Sequence, residues 1–217
     1  MIVTIDGPAG AGKSTIARAL AERLGFRFLD TGAMYRAVAL AAVESGLDWD
    51  QPEALVALAA TLQLQVDESR VTIDGRDVTQ AIRTPEVTAV TRYAANNPGV
   101  RAILVEQQRR LAGGDNIVTD GRDQGTVVFP HAECKVYLTA SPEERARRRT
   151  KELSAKGQAA SFEEVLRDQN RRDASDAGRE VGPLVAAPDA IEVNTDGLSP
   201  KQVLDRLEQI VREKMPR

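Results

Sequence analysis

The chain opens on a short β-branched run, Ile2 to Ile5, that stops at Asp6-Gly7-Pro8. Apolar residues then recur at Ile16, Ala17, Ala19, Leu20 and Leu24. A continuous apolar run followed by helical spacing across a glycine-rich turn predicts a strand, a loop and a helix that Gly25 closes. Phe26 to Leu29 reads as a second strand. Tyr35 to Ser45 and Pro52 to Leu62 read as alanine-rich helices, the latter with proline in its first turn, where a missing N–H leaves no bond unmade.

Leu62 to Val66 alternates, as do Val71 to Ile73 and Val78, and Asp74-Gly75 between them predicts a type I′ hairpin turn. A helical zone from Pro85 to Leu111 is interrupted at Asn96-Asn97-Pro98-Gly99. Ile117 to Thr119, after Gly113-Gly114, is expected as a buried strand. Lys135 to Leu138 is another strand, and Ser141-Pro142-Glu143-Glu144 opens an arginine-laden helix. Phe162 to Asn170 is helical, Ile191 to Val193 is a late strand, and Ser199-Pro200 begins a final helix to about Lys214. Strands separated by helices at both ends of the chain predict an α/β protein with a parallel, helix-covered sheet. The hairpin in the middle reads as an insertion into it.

Composition narrows the partners. The chain has 217 residues, of which 42% are hydrophobic and 28% charged, which excludes disordered and collagen-like classes. A net charge of -3 argues against an all-over basic coat for nucleic acid, and 4% aromatics argue against stacking platforms for single strands. No stretch reaches the roughly 18 to 20 apolar residues of a membrane span, and the N-terminus carries no basic leader. A soluble, reducing, cytoplasmic setting is expected. One cysteine, Cys134, and one histidine, His131, cannot make an internal disulfide or a Cys/His zinc site, so Cys134 reads as a small buried apolar residue.

The strongest chemistry lies in Gly7-Pro8-Ala9-Gly10-Ala11-Gly12-Lys13-Ser14, a phosphate-loop pattern placed after a strand and before a helix. Small residues let successive backbone N–H groups wrap phosphates, and the following helix N-terminus adds positive potential. Lys13 can reach the β and γ phosphates, and the Ser14 hydroxyl can ligate magnesium. Asp120 ends the strand at 117–119, where an acidic residue holds magnesium directly or through water; capping of the next turn is its alternative role. Asp6 competes for a metal-proximal role. The tetrapeptide Asp-Gly-Arg-Asp occurs at 74–77 and again at 120–123, and only the second copy, after a buried strand, carries a functional reading.

The basic residues divide into 23 Arg and 6 Lys. Transfer of a phosphoryl group to another phosphate needs no base, because the acceptor oxygen is already anionic, but it does need two clustered anions neutralised. Guanidinium groups do this in pairs. Arg36, Arg101, Arg122, Arg145, Arg147, Arg148, Arg149, Arg171, Arg172 and Arg179 lie beside Asp or Gly or in a dense run; solvated helix faces are the alternative for Arg145 to Arg149.

These residues resemble the bacterial cytidylate kinases. The matching pieces are IDGPAGAGKST from Ile5, LDTGAMYR from Leu29, IRTPEV from Ile82, DGRDQGTVVFP from Asp120, SPEERARRR from Ser141 and RDASDAGR from Arg172, followed by Pro183-Leu184. The resemblance implies a phosphate-loop three-layer fold with a five-stranded parallel sheet in a core of residues 1–30, 111–146 and 181–217. It also implies a monophosphate-binding domain at 31–110 with a small antiparallel sheet, and a helical lid at 147–180 in which Gly157 and Gly178 are soft points. The implied activity is phosphorylation of CMP and dCMP by ATP with magnesium, by a monomer that needs neither nucleic acid nor membrane.

By that resemblance ATP falls on Gly7 to Thr15 and magnesium on Ser14 and Asp120. The monophosphate falls on Thr31, Arg36, Arg101, Arg122, Asp123, Arg172, Asp176 and Arg179, with Lys13, Arg122, Arg148 and Arg172 acting on the transferring group. Base contacts go to Arg101 and Asp123, in keeping with cytosine, whose amino group donates to a carboxylate beside ring acceptors. Where well-known members have a base-contacting serine, this chain has Arg92 next to Thr91. Another small-molecule phosphate-loop kinase and a regulatory NTPase switch are the alternatives.

Overall fold

The central strand β1, Ile2–Asp6, lies between β6, Ile117–Gly121, and β7, Cys134–Thr139, and runs parallel to both. In the computed structural model, which describes residues 1–67, 70–155 and 157–215, the five-stranded sheet has the order β2-β6-β1-β7-β8, with β2 at Arg27–Asp30 and β8 at Ile191–Asn194. The chain returns to one side of β1 and then to the other, so the order reverses at β1, the place in open α/β sheets beyond whose carboxyl end ligands bind. Val3, Ile5, Ile117, Val118 and Leu138 have almost no exposed surface. Helices cover both faces of such a sheet, so β1 and β6 are buried on successive residues, Thr4 and Thr119 included, whereas in β7 Cys134, Val136 and Leu138 alternate with Lys135, Tyr137 and Thr139.

The chain divides into two compact units, Met1–Phe26 with Asn116–Arg217, and Arg27–Asp115. In the first, α1 spans Lys13–Leu24, α6 Pro142–Ala155, α7 Phe162–Ala177 and α8 Pro200–Lys214. Gly25 ends α1 in the left-handed region, donating to the Ala21 and Glu22 carbonyls. Helix α8 buries Val203, Leu207 and Val211, a stripe at four-residue spacing, and Arg23 of α1 pairs with its Asp205 and Glu208. Capping boxes at Ser161 and Ser199 start α7 and α8. Residues 147–180, expected as the lid, belong to this unit, where α6 and α7 pack on each other.

The second unit is built from α2, Thr31–Glu44, α3, Pro52–Thr61, α4, Pro85–Asn96, and α5, Pro98–Ala112, with an antiparallel sheet of β3, Leu64–Val66, β4, Val71–Ile73, and β5, Arg76–Asp77. Met34, Val38, Leu55, Ile82 and Leu104 form its core. Asp74 and Gly75 both have positive φ, as a type I′ turn requires.

Several element boundaries differ from expectation, most of them by one or two residues. Helix α2 begins at Thr31, not Tyr35, because the Asp30 carboxylate accepts from Ala33 N and so caps the helix one turn earlier. Helix α7 runs seven residues beyond Asn170, to Ala177. Val78 lies outside the strands, and its N–H donates to the Val71 carbonyl.

Candidate active site

The glycines between β1 and α1 answer either to lack of space or to a backbone conformation that other residues rarely adopt. Gly7 has φ 148°, and a Cβ there would overlap the Leu138 carbonyl oxygen of β7; Gly12, at φ 84°, caps α1. The first helical bond runs from Ile16 N to Gly12 O, so the preceding amides face the loop and can serve an anion. Lys13 is buried, and its ammonium donates to the Pro8 carbonyl oxygen at 2.7 Å. Burial, and then Arg122 nearby, lower its pKa to about 7, against the opposing pull of Asp120, Asp6 and Asp176.

Ser14 Oγ donates to Asp120 Oδ2 at 2.6 Å. Asp6, the other acidic strand end, is committed elsewhere: Oδ1 accepts from Gln124 N at 2.9 Å and Oδ2 from Gly125 N at 2.7 Å. Its carboxylate thus anchors a π-helical turn, Gln124–Val128, directly after Arg122 and Asp123. Burial raises the Asp6 pKa to about 6, with those two amides acting against the rise.

On α7, Asp176 accepts from Arg122 Nε at 2.7 Å and from Arg179, so two guanidinium groups converge on one buried carboxylate. Arg172, on the same helix, is exposed. Of the run Arg145 to Arg149, Arg145 is buried and donates to the Ala9 carbonyl at 2.7 Å and to Asp173 at 2.6 Å. Arg148 instead donates to Thr195 Oγ1 at 3.0 Å and to the Thr195 carbonyl at 2.7 Å, while Arg147 and Arg149 pair with Glu144 and Glu152 on the surface.

In the second unit, Asp30 receives Arg36 at 3.3 Å and Arg83 at 3.2 Å beside the buried Thr31. Arg101 is 2% exposed, donates to the Ala95 carbonyl and lies 5.6 Å from the Tyr35 ring centre. Arg92 lies over Tyr93, which stacks on Trp49 with ring centres 4.9 Å apart. The first Asp-Gly-Arg-Asp copy forms the hairpin turn, with Arg76 paired to Glu44 and Asp77 to Arg70.

A parallel-sheet switch point, a glycine loop with a buried lysine, and a hydroxyl–carboxylate pair describe a phosphoryl-transfer centre. The sequence profile of cytidylate kinase matches residues 3–213. The chain belongs to the cytidylate kinase family. The cytidylate kinase of Rhodopirellula baltica is 55% identical over 213 residues, 98% of this chain and 93% of that protein. The cytidylate kinase of Geobacter sulfurreducens is 49% identical over 218 residues, 99% and 94% of the two chains. Among solved structures, the fold is shared by a shikimate kinase from Bacteroides thetaiotaomicron, with TM-score 0.50, 14% identity and 98% coverage of both chains. An uncharacterized protein from Eubacterium ventriosum matches at TM-score 0.55 and 10% identity, also over 98% of each chain.

Membership in the cytidylate kinase family makes the chain a phosphotransferase that phosphorylates nucleoside monophosphates. Among the described residues no helix is long and apolar enough to cross a membrane. Arg83 and Asp173 lie inside IRTPEV and RDASDAGR, yet only the structure pairs them with Asp30 and Arg145. Their signal was present only as spacing: Asp173 stands three residues before Asp176, one helical turn away on the same face.

Proposed function

We propose that this kinase transfers the γ-phosphoryl group of ATP to CMP and dCMP, giving CDP and dCDP. The observation that carries the reading is the convergence of Arg122 and Arg179 on Asp176, in the same unit as the phosphate loop. A nucleotide loop alone serves one polyphosphate, whereas this second cationic cluster suits another anion. Gly7 to Thr15 are proposed to hold ATP, with the backbone amides at Gly12, Lys13, Ser14 and Thr15 turned to the phosphates and Lys13 neutralising them and taking up a proton as they bind.

Among the described residues no three His, Cys, Asp or Glu side chains are grouped to cage a metal ion. One hydroxyl and one carboxylate, Ser14 and Asp120, nevertheless fit magnesium, which takes few protein ligands and completes its shell with phosphate oxygens and water. The ion's contribution when bound is to neutralise phosphate charge.

From the first unit, Arg122, Arg172, Asp176 and Arg179 are proposed to contact phosphate and sugar, and Asp123 the cytosine amino group. From the second, Thr31 and Arg36 are proposed for the phosphate and Arg101 for the base. In this proposal residues 147–180 act as a lid that excludes water, which keeps ATP from hydrolysing. Arg172 and Arg148 are its candidates for the transferring group; Arg148 must leave Thr195 to take part. The enzyme is proposed to act as a cytoplasmic monomer on free nucleotides, independent of nucleic acid. An ADP-release assay across CMP, dCMP, UMP, AMP and GMP tests the assignment: preference for CMP or dCMP is expected, and equal rates on all five would refute it.

A further inference from the structure

The loop residue Ala9 has both of its backbone polar groups held by an ion pair from two helices. Its N–H donates to Asp173 Oδ1 at 3.0 Å, and its carbonyl accepts from Arg145 Nη1 at 2.7 Å. The same Nη1 donates to Asp173 Oδ2 at 2.6 Å, which closes a ring of three hydrogen bonds around one residue of the loop. Arg145 Nε is taken by the Ala140 carbonyl, and Gln169 of α7 donates to the Arg145 carbonyl. That glutamine also fills the space beside Gly10, where a Cβ would come within 2.5 Å of its amide nitrogen.

The Arg145 side chain is 5% exposed and that of Asp173 19%. A charge pair withdrawn this far from water gains little net stability, because desolvation offsets the attraction; its value lies in the geometry it imposes. That geometry concerns the loop. Gly7 to Gly12 combine three glycines of positive φ with Ala9, whose methyl group can make no hydrogen bond, so beyond the Lys13 bond to the Pro8 carbonyl the loop relies on its surroundings for shape. Asp173 and Asp176 stand one turn apart on α7, and Asp176 gathers Arg122 and Arg179. The helix that receives the loop therefore also orients the second cationic cluster.

We infer that Asp173, through Arg145 and Ala9, is a positioning residue that holds the phosphate loop in its phosphate-receiving shape on α7. Neither Asp173 nor Arg145 touches a reacting atom in this role; Arg145 neutralises a carboxylate that would otherwise repel the incoming phosphates. The inference rests on the proposed use of ATP and a cytidine monophosphate.

The test is steady-state kinetics of the full-length enzyme, with ATP and CMP varied in turn, for wild type, Asp173→Ala, Asp173→Asn and Arg145→Lys, with Tm recorded for each. Asp173→Asn keeps the size and one acceptor for Ala9 N–H but loses the ionic bond to Arg145. It is expected to raise KM for ATP about tenfold while KM for CMP stays within about twofold, and Arg145→Lys to give a smaller rise of the same kind. An unchanged KM for ATP, whatever the Tm, overturns the inference, as does an equal rise in both KM values. A fall in KM for ATP also overturns it, since the carboxylate would then be competing with phosphate. Should Asp173→Ala fail to fold, Asp173→Asn and Arg145→Lys decide. Should the wild type not turn over CMP, the functional reading fails by itself, and calorimetric ATP affinity of the same variants still reads the clamp.

Discussion

Ser14 Oγ and Asp120 Oδ2 are 2.6 Å apart although 106 residues separate them in the chain. The parallel register brings them together: Ile5 stands beside Asp120 and Asp6 beside Gly121, so the loop after β1 and the end of β6 open on the same side of the sheet. The pair supplies a hydroxyl and a carboxylate at the loop where phosphates are expected.

Asp120→Asn is expected to raise the magnesium concentration needed for half-maximal rate by about 10- to 100-fold, the cost typical of disturbing groups around a bound metal. Ser14→Ala should move the same parameter in the same direction. Magnesium titrations of initial rate check both; an unchanged magnesium requirement in Asp120→Asn would remove this carboxylate from the metal site.

Lys13 links activity to pH. Its pKa is about 7 in the folded chain against the ordinary 10.5, so between those values the unfolded state binds more protons and stability rises with pH. Below pH 7 the full cost of the buried ammonium is present. Lys13→Met is therefore expected to lose activity yet melt higher at pH 7, by about 2–4 °C per kcal/mol recovered. Arriving phosphates restore the charge, so ATP binding at pH 8 should take up about one proton, measurable by calorimetry in buffers of different ionisation enthalpy. A lowered Tm in Lys13→Met, or no proton uptake, contradicts this account.

Asp6 holds the turn behind Arg122 and Asp123 as a carboxylate with both oxygens accepting. Protonation as pH falls through about 6 turns one oxygen into a donor facing an amide N–H, so kcat should show an acid limb near that pH. Asp6→Asn makes the same clash permanent and leaves a buried N–H unpaired, at about 1–3 kcal/mol. Its kcat should be low throughout and lack that limb. A retained limb in the variant would assign it to another group.

Base choice is expected to rest on Asp123, which is 4% exposed. Asp123→Asn can donate to the carbonyl that uracil presents where cytosine has an amino group. The ratio of kcat/KM for CMP over UMP should fall at least about tenfold, the scale of a mismatched buried polar pair. A ratio unchanged from wild type would place discrimination elsewhere.

Much of this was legible along the chain. The strand, loop and helix around Lys13 could be read because β-branched residues, glycines and helical spacing act locally, and Asp74-Gly75 set its own turn for the same reason. The start of α2 at Thr31 was missed, because its cap is the carboxylate of Asp30, the last residue of the strand before it. Arg92, marked by comparison with other members, lies on Tyr93 in a stack with Trp49 that its neighbours in sequence do not announce.

The sequence by itself determined parts that depend on neighbours within about one turn: the phosphate loop, the Gly25 and Ser199 helix ends, the hairpin and the alternation of strands and helices. Only the tertiary structure decided between chemically equal candidates. Asp6 and Asp120 both end strands, but the sheet register turns one to the Gln124–Val128 backbone and the other to Ser14. Arg145 and Arg148 are alike in a run of arginines. Successive residues on a helix point about 100° apart, and what each one meets depends on the elements packed around α6, so Arg145 reaches the loop and Arg148 reaches Thr195. Distance in space, which residue order does not encode, made that choice.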